Sequence, residues 1–284
     1  MNQGPRITFI GPGVMAEAMI AGLIRQKVTL PSRIVASGPR AERVTELERR
    51  YGITPITDNV AAVREADVVV LSVKPQKLGE VLAEIRGAVP AEALVLSIVA
   101  GAPIARIAAD LGHAAIVRAM PNTPGQIGKG ISVWTASPTV TEAQKRLAGQ
   151  ILGALGEEIF MKDEDYLDMA TALSGTGPAY VFLFMEALVD AGVHLGFPRR
   201  IAEQLVVQTV LGSAEFYKRL QQDVHLAHLR NQVTSPGGTT AAALYYLEKA
   251  GFRTALSRAV WAAYERSREL GRNAEPKPPR EGGR

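Results

Sequence analysis

The chain has 284 residues, 47% hydrophobic and 21% charged, which is ordinary globular composition and enough length for two domains. Its formal charge is +4, and the four basic and two acidic side chains of Arg272–Arg284 account for +2 of it, so no basic face for nucleic acid is indicated. The absence of cysteine excludes disulfides, thiol nucleophiles and thiolate metal sites and fits a reducing compartment, and four scattered histidines suggest no metal site.

The apolar stretch 7–24 is broken by Gly11, Pro12, Gly13 and Glu17, which marks a strand, a tight turn and a helix rather than a signal segment or a membrane span. The chain therefore reads as soluble and cytoplasmic, with no membrane partner. Short β-branched runs follow one another at Ile7–Ile10, Arg33–Ala36, Val68–Val73, Leu94–Ile98, Ala115–Ala119, Ile131–Trp134 and Glu158–Met161, with helical stretches between them. That alternation predicts a mostly parallel, doubly wound sheet. Val68–Leu71 and Leu94–Leu96 are apolar at every position, as central strands covered on both faces must be.

Gly11-Pro12-Gly13-Val14-Met15-Ala16 follows the first strand and opens a helix, which is the setting a dinucleotide fingerprint requires; Ala16 stands at its third glycine. The second strand ends Ala36-Ser37-Gly38-Pro39-Arg40, without the acidic residue that takes the ribose 2′-hydroxyl of NAD. Ser37 can donate to a 2′-phosphate and Arg40 or Arg43 can pair with it, which favours NADPH, with NADH as the second candidate donor. A solvated helix face describes either arginine alone equally well.

Beyond Lys162 the β-branched runs stop and helical periods take over, so the expected division is residues 1–162, an NADP-binding domain; 163–271, an all-helical domain; and 272–284, a Pro/Gly/Arg tail of disordered composition. Leu173-Ser174-Gly175-Thr176-Gly177-Pro178 places glycines before a proline at a helix start. The following helix carries Val181, Phe184, Leu188 and Phe182, Met185, Val189 on adjacent stripes, too wide for one solvated face. It is central to its own bundle or covered by another subunit. Further on, Pro236, Gly237 and Gly238 run into a helix from Thr239 to Lys249 ended by Gly251. The first turn of that helix offers free amides with the positive end of the dipole behind them, a seat for a carboxylate or phosphate or else an ordinary capped start.

The sixteen residues Val233–Glu248 resemble, in order and spacing, the C-terminal signature of the pyrroline-5-carboxylate reductases; Leu173–Tyr180 and Arg118–Pro124 are similar to that family as well, and the resemblance runs to about Gly271. It implies an α/β Rossmann-like N-terminal domain followed by an all-α C-terminal dimerisation domain, a homodimer or a higher oligomer built from dimers, and NAD(P)H-dependent reduction of L-1-pyrroline-5-carboxylate to L-proline. It also implies that Ile10, Gly11, Pro12, Gly13, Val14, Met15, Ser37, Pro39, Arg40, Asn59 (in Asp58-Asn59), Ser72, Val73, Lys74, Pro75, Ile98, Val99 and Ala100 line the cofactor. Lys74 is otherwise a solvated loop lysine. The run Arg118–Pro124, with its two prolines, supplies shape rather than chemistry.

On the substrate side the resemblance gives Thr240 the hydrogen bond to the ring nitrogen, gives Gly238, Thr239 and Thr240 the carboxylate, and adds Ser235 and Glu164, the last of which is equally well a surface acid of the run Lys162–Asp165. Gln232 stands where some relatives of that family have Asn near the cofactor. Related hydroxyacid dehydrogenases place a catalytic lysine about one helical turn after the glycine pair, whereas here none follows until Lys218. That argues against oxidising a hydroxyl, where a base must take the proton, and suits a cyclic imine that arrives protonated. The four histidines lie outside these motifs and read as surface or capping residues.

Overall fold

The computed structural model describes residues 4–220 and 224–272; the expected C-terminal tail lies outside the described residues apart from Arg272, which ends the last helix. Eight strands form one sheet: β1 (Ile7–Ile10), β2 (Ile34–Ser37), β3 (Thr54–Ile56), β4 (Val68–Leu71), β5 (Leu94–Ser97), β6 (Ile116–Met120), β7 (Gly130–Ala136) and β8 (Gly156–Phe160). Their order is β3-β2-β1-β4-β5-β6-β7-β8, parallel throughout except for the antiparallel β6–β7 pair. The helices among them are α1 (Val14–Arg25), α2 (Ala41–Tyr51), α3 (Asn59–Val63), α4 (Leu78–Ile85), α5 (Ile104–Leu111) and α6 (Glu142–Gly153). After β8 come α7 (Asp165–Ala170), α8 (Gly177–His194), α9 (Arg199–Leu220), α10 (Leu226–Gln232), α11 (Thr239–Lys249) and α12 (Phe252–Arg272). The fold is the Rossmann-like α/β unit followed by helices that the sequence implies.

The two-residue period of the central strands divides the core. Val68 and Val70 of β4 and Leu94 and Leu96 of β5 join Phe9, Met19, Leu23 and Ile151 on one face; Val69, Leu71 and Val95 join Leu82, Ile85 and Ile107 on the other. All of them are buried, as the unbroken apolar runs predict. The sequence reading passed over β3, a three-residue strand containing Pro55. It is the edge of the sheet, where a residue without an N–H leaves no ladder bond unmade.

The chain divides into two compact units, Met1–Thr176 with Ala263–Arg284, and Gly177–Ala262. In the first, α7 lies with the sheet, and a π-helical turn over Thr171–Gly175 follows it. In the second, α8 packs on α9, where a Cβ on Gly192 would sit 3.0 Å from that of Ala202. Val189 and Ala202 are the only buried hydrophobics of this unit among the described residues. Phe182 is 62% and Leu183 67% exposed, so α8 is not central to a bundle within its own chain.

Candidate cofactor and substrate sites

Loops at the carboxyl ends of β1 to β5 collect the residues expected to line a cofactor, around the point where the strand order reverses between β1 and β4. Gly11 turns the chain out of β1 with φ +90, and a Cβ there would lie 2.6 Å from Val73 Cγ1 and 2.9 Å from the Val73 backbone. Only glycine fits. Gly13 caps α1 in extended conformation with no side chain on the first-turn amides, and a Cβ on it would meet nothing closer than 4.0 Å. The turn is thus tight behind and open in front, the shape that lets backbone amides and the helix dipole receive a pyrophosphate. Its walls fit a dinucleotide.

Several expected lining residues hold this loop in shape. The Ser72 hydroxyl lies 3.0 Å from the Ile10 carbonyl and 2.9 Å from that of Gly11, and the Gly11 amide donates to Ser37 O at 2.9 Å. Ser37, expected to face a 2′-phosphate, is fully buried, and its hydroxyl donates to Asn59 Oδ1 at 2.7 Å, while Asn59 Nδ2 donates to Glu84 at 2.8 Å. Pro39 and Arg40 are exposed beside it. The Arg40 guanidinium has no ion-pair partner among the described residues, whereas Arg43 is tied to Glu17, Glu46 and the Pro12 carbonyl. Lys74 is exposed at the start of the 3₁₀ turn Pro75–Lys77, and Ile98, Val99 and Ala100 leave the end of β5. Val14 and Met15 begin α1. A cavity of about 280 Å³ adjoins these loops, lined by Pro75, Val99, Ala100, Gly101, Arg106 and Leu270.

Glu164 accepts from Arg118 at 2.8 Å and from the Ile104 amide, at the start of α5, at 2.9 Å. Arg118, 5% exposed, also reaches Asp168 at 3.1 Å, and Ser267 of α12 donates to the same carboxylate oxygen at 2.8 Å. Sequence reasoning assigned Arg118 to shape and missed this buried network, although a lone arginine inside an apolar strand signals a partner. Asn122 accepts from Ile131 N at 3.0 Å and donates to Ser174 O at 3.1 Å, which fixes the π-helical turn.

In the helical unit α11 begins at Thr239 with Gly238 as its cap, and no side chain caps it. Gly237 has φ +70, which favours glycine, and a Cβ on Gly238 would displace the Ser235 hydroxyl, 2.4 Å away, and crowd the Ser235 carbonyl oxygen at 3.2 Å. Ser235 and Thr239 are exposed and Thr240 is half-buried. An uncapped helix start flanked by hydroxyls can receive a carboxylate. Gln232 is the exposed last residue of α10. His113, His194 and His225 each bond to the backbone, His225 as the cap of α10.

A family model described as pyrroline-5-carboxylate reductase dimerisation matches residues 164–270, and one described as NADP oxidoreductase, coenzyme F420-dependent, matches residues 6–101. A pyrroline-5-carboxylate reductase from Synechocystis sp. is 44% identical over 94% of this chain and 98% of its own. The chain belongs to the pyrroline-5-carboxylate reductase family. Another reductase of that family, from Pseudomonas aeruginosa, is also 44% identical, over 94% of this chain and 97% of its own. Among solved structures, a pyrroline-5-carboxylate reductase from Coxiella burnetii superposes with a TM-score of 0.84 at 40% identity, covering 94% of this chain and 98% of that one. The Plasmodium falciparum pyrroline carboxylate reductase, solved with NADP bound, gives 0.86 at 33% identity over 95% and 99%.

Proposed function

We propose that this chain reduces L-1-pyrroline-5-carboxylate to L-proline with NADPH as preferred donor and NADH as the alternative. Family membership over nearly the whole chain is the observation that carries the reading. When bound, a reduced nicotinamide supplies the hydride that forms the new C–H bond at the imine carbon, while the C=N π pair passes to nitrogen, which keeps the proton it brought from solvent. Gly11, Gly13 and the first turn of α1 hold the pyrophosphate; Ile10, Pro12, Val14, Met15, Asn59, Ser72, Val73, Lys74, Pro75, Ile98, Val99 and Ala100 shape the groove around it. Thr240 Oγ1 accepts from the protonated ring nitrogen, and the amides of Thr239 and Thr240, with Ser235, take the carboxylate, while the Gly238 amide, expected to join them, donates instead to the Ser235 carbonyl at 3.1 Å and Gly238 shapes the turn. Glu164 acts through its bond to Arg118 and the start of α5, on the substrate side of the site.

The NADPH preference is supported by the missing acidic residue after β2 and by the exposed, unpaired Arg40 beside Ser37 and Pro39. The functional division falls near residue 162, close to the start of the dimerisation match at 164. The exposed apolar faces of α8 and α9 are the surface of a homodimer or of a larger assembly of dimers. A unit with two buried hydrophobics among its described residues cannot offset about 1–2 kcal/mol of backbone entropy per residue unless another surface covers it. By length and composition the run Asp165–His194 could also cross a membrane, but Glu186 and Asp190 and the dimerisation match favour protein cover over lipid. A cytoplasmic location accords with a chain free of cysteine.

Loss of NADPH absorbance on mixing the purified protein with NADPH and pyrroline-5-carboxylate tests the activity. Folded protein that binds NADPH and gives no loss would refute it. Sedimentation at a mass of two chains or a multiple of two is the expected assembly state, and a monomer at assay concentration would contradict it.

A further inference from the structure

The cofactor turn is gripped from behind by one guanidinium. Arg43, on the first turns of α2, donates through Nε to the carbonyl of Pro12 at 3.0 Å, through one terminal nitrogen to Glu46 at 2.7 Å and through the other to Glu17. Pro12 is the middle residue of Gly11-Pro12-Gly13, and Glu17 lies on α1, the helix that this turn opens. Arg43 therefore bridges the turn and the helix behind it. Glu17 is anchored in turn by Tyr51 at 2.9 Å and Arg50 at 2.7 Å, and the Glu17 and Arg43 side chains are both more than four-fifths buried.

The neighbouring Arg40 shares none of this. It is exposed at the start of α2, its side chain caps nothing, and among the described residues it has no ion-pair partner. Two arginines three positions apart, which the sequence offers as interchangeable readers of a phosphate, are held in different electrostatic settings. One is neutralised by two carboxylates and shaped around a carbonyl; the other is free to meet an anion.

We propose that Arg43 is a positioning residue for the cofactor turn, fixing the Pro12 carbonyl so that the first-turn amides of α1 face the pyrophosphate, and that Arg40 alone discriminates a 2′-phosphate. The inference rests on the reading that this turn binds NAD(P)H. Because the pyrophosphate is common to both dinucleotides, loosening the turn weakens both alike, whereas removing a 2′-phosphate contact weakens only NADPH. Arg50 provides the control, since it pairs with Glu17 and does not touch Pro12.

The experiment measures dissociation constants of NADPH and NADH by titration for the wild-type protein and for Arg43→Met, Arg43→Lys, Arg40→Met and Arg50→Met. Arg43→Met raises both constants by one common factor, about tenfold for a charge-assisted hydrogen-bond set. Arg43→Lys, which keeps a charge for Glu17 but cannot fork to Pro12, gives a smaller common rise and carries the test if the methionine variant does not fold. Arg40→Met raises the NADPH constant alone, and Arg50→Met changes neither. Three results would overturn the proposal: a rise for NADPH only in the Arg43 variants, no rise in folded Arg43 variants, or an equal rise in Arg50→Met. A wild-type protein that binds neither dinucleotide removes the reading of the turn itself and the inference with it.

Discussion

Gly11 and Gly13 make opposite demands on the same turn, and alanine at each separates folding from binding. At Gly11 a Cβ meets Val73 Cγ1 at 2.6 Å and the Val73 backbone at 2.9 Å while φ is +90. The left-handed conformation costs about 1–3 kcal/mol for a side-chain-bearing residue. Overpacking against the Val73 backbone just beyond β4 adds about 1–3 kcal/mol. A loss of about 2–6 kcal/mol is a large fraction of the about 5–15 kcal/mol that holds a domain together. Gly11→Ala should therefore lower the melting temperature and abolish NADPH binding together. At Gly13 φ is −81, and the nearest atom to a Cβ is 4.0 Å away, so Gly13→Ala should change stability by about 1 kcal/mol or less, the poorer N-cap being partly offset by the stiffer unfolded chain. The new methyl would nevertheless stand where a pyrophosphate meets the amides of α1, and NADPH affinity should fall about tenfold or more. Thermal melts by circular dichroism and NADPH titrations on both variants decide the matter. Unchanged binding in Gly13→Ala would show that the pyrophosphate does not sit at this turn, and unchanged stability in Gly11→Ala that Val73 does not confine it.

Thr240→Ala should lower kcat/KM by about 1–3 kcal/mol in transition-state terms, the value of one hydrogen bond to a charged nitrogen, and leave the NADPH dissociation constant unaltered; equal loss of both would misplace the residue. Arg118→Met leaves the Glu164 and Asp168 carboxylates without their buried cation and should destabilise the protein by about 3–5 kcal/mol in denaturant titration; a midpoint like that of the wild type would show the network to be dispensable. Burial acts to raise the pKa of Glu17, but hydrogen bonds from Arg43 and Tyr51 and the charges of Arg43 and Arg50 outweigh it and hold the carboxyl below its usual 4.5. A depressed folded pKa means stability that is present above the ordinary carboxylate value and lost as pH falls through the lowered one. Glu17→Gln should accordingly flatten the fall of melting temperature with acidification below about pH 4.5, and an unchanged acid limb would count against that linkage.

The sheet was legible wherever the strand chemistry was uniform. β4 and β5 are apolar at nearly every position because helices cover both faces, and that pattern is written directly in their residues. β3 escaped because three residues with a central proline carry no such pattern; an edge position tolerates them, and edge position is a property of the folded sheet. The glycine turn was legible from its order strand, glycine, helix, since the steric demand is local. What sequence cannot display is which partner a polar side chain finds. Ser37 and Arg43 looked equally suited to a 2′-phosphate; the fold gives the serine hydroxyl to Asn59 and the guanidinium to Glu17, Glu46 and Pro12, leaving Arg40 exposed. Arg118 was likewise readable as a buried arginine in a strand, but its two carboxylates lie more than forty residues away along the chain. The double apolar stripe on α8 left two readings open, and the exposure of Phe182 and Phe184, one on each stripe, removes the one in which its own unit covers it.

The most direct measurement follows the hydride itself. The protein is given NADPH deuterated at the transferring position of nicotinamide C4 together with pyrroline-5-carboxylate, and the product is read by mass and NMR spectrometry. One L-proline should form per NADPH consumed, with deuterium on the ring carbon that was double-bonded to nitrogen. Turnover without label at that carbon, or no turnover by folded protein that binds NADPH, would contradict it.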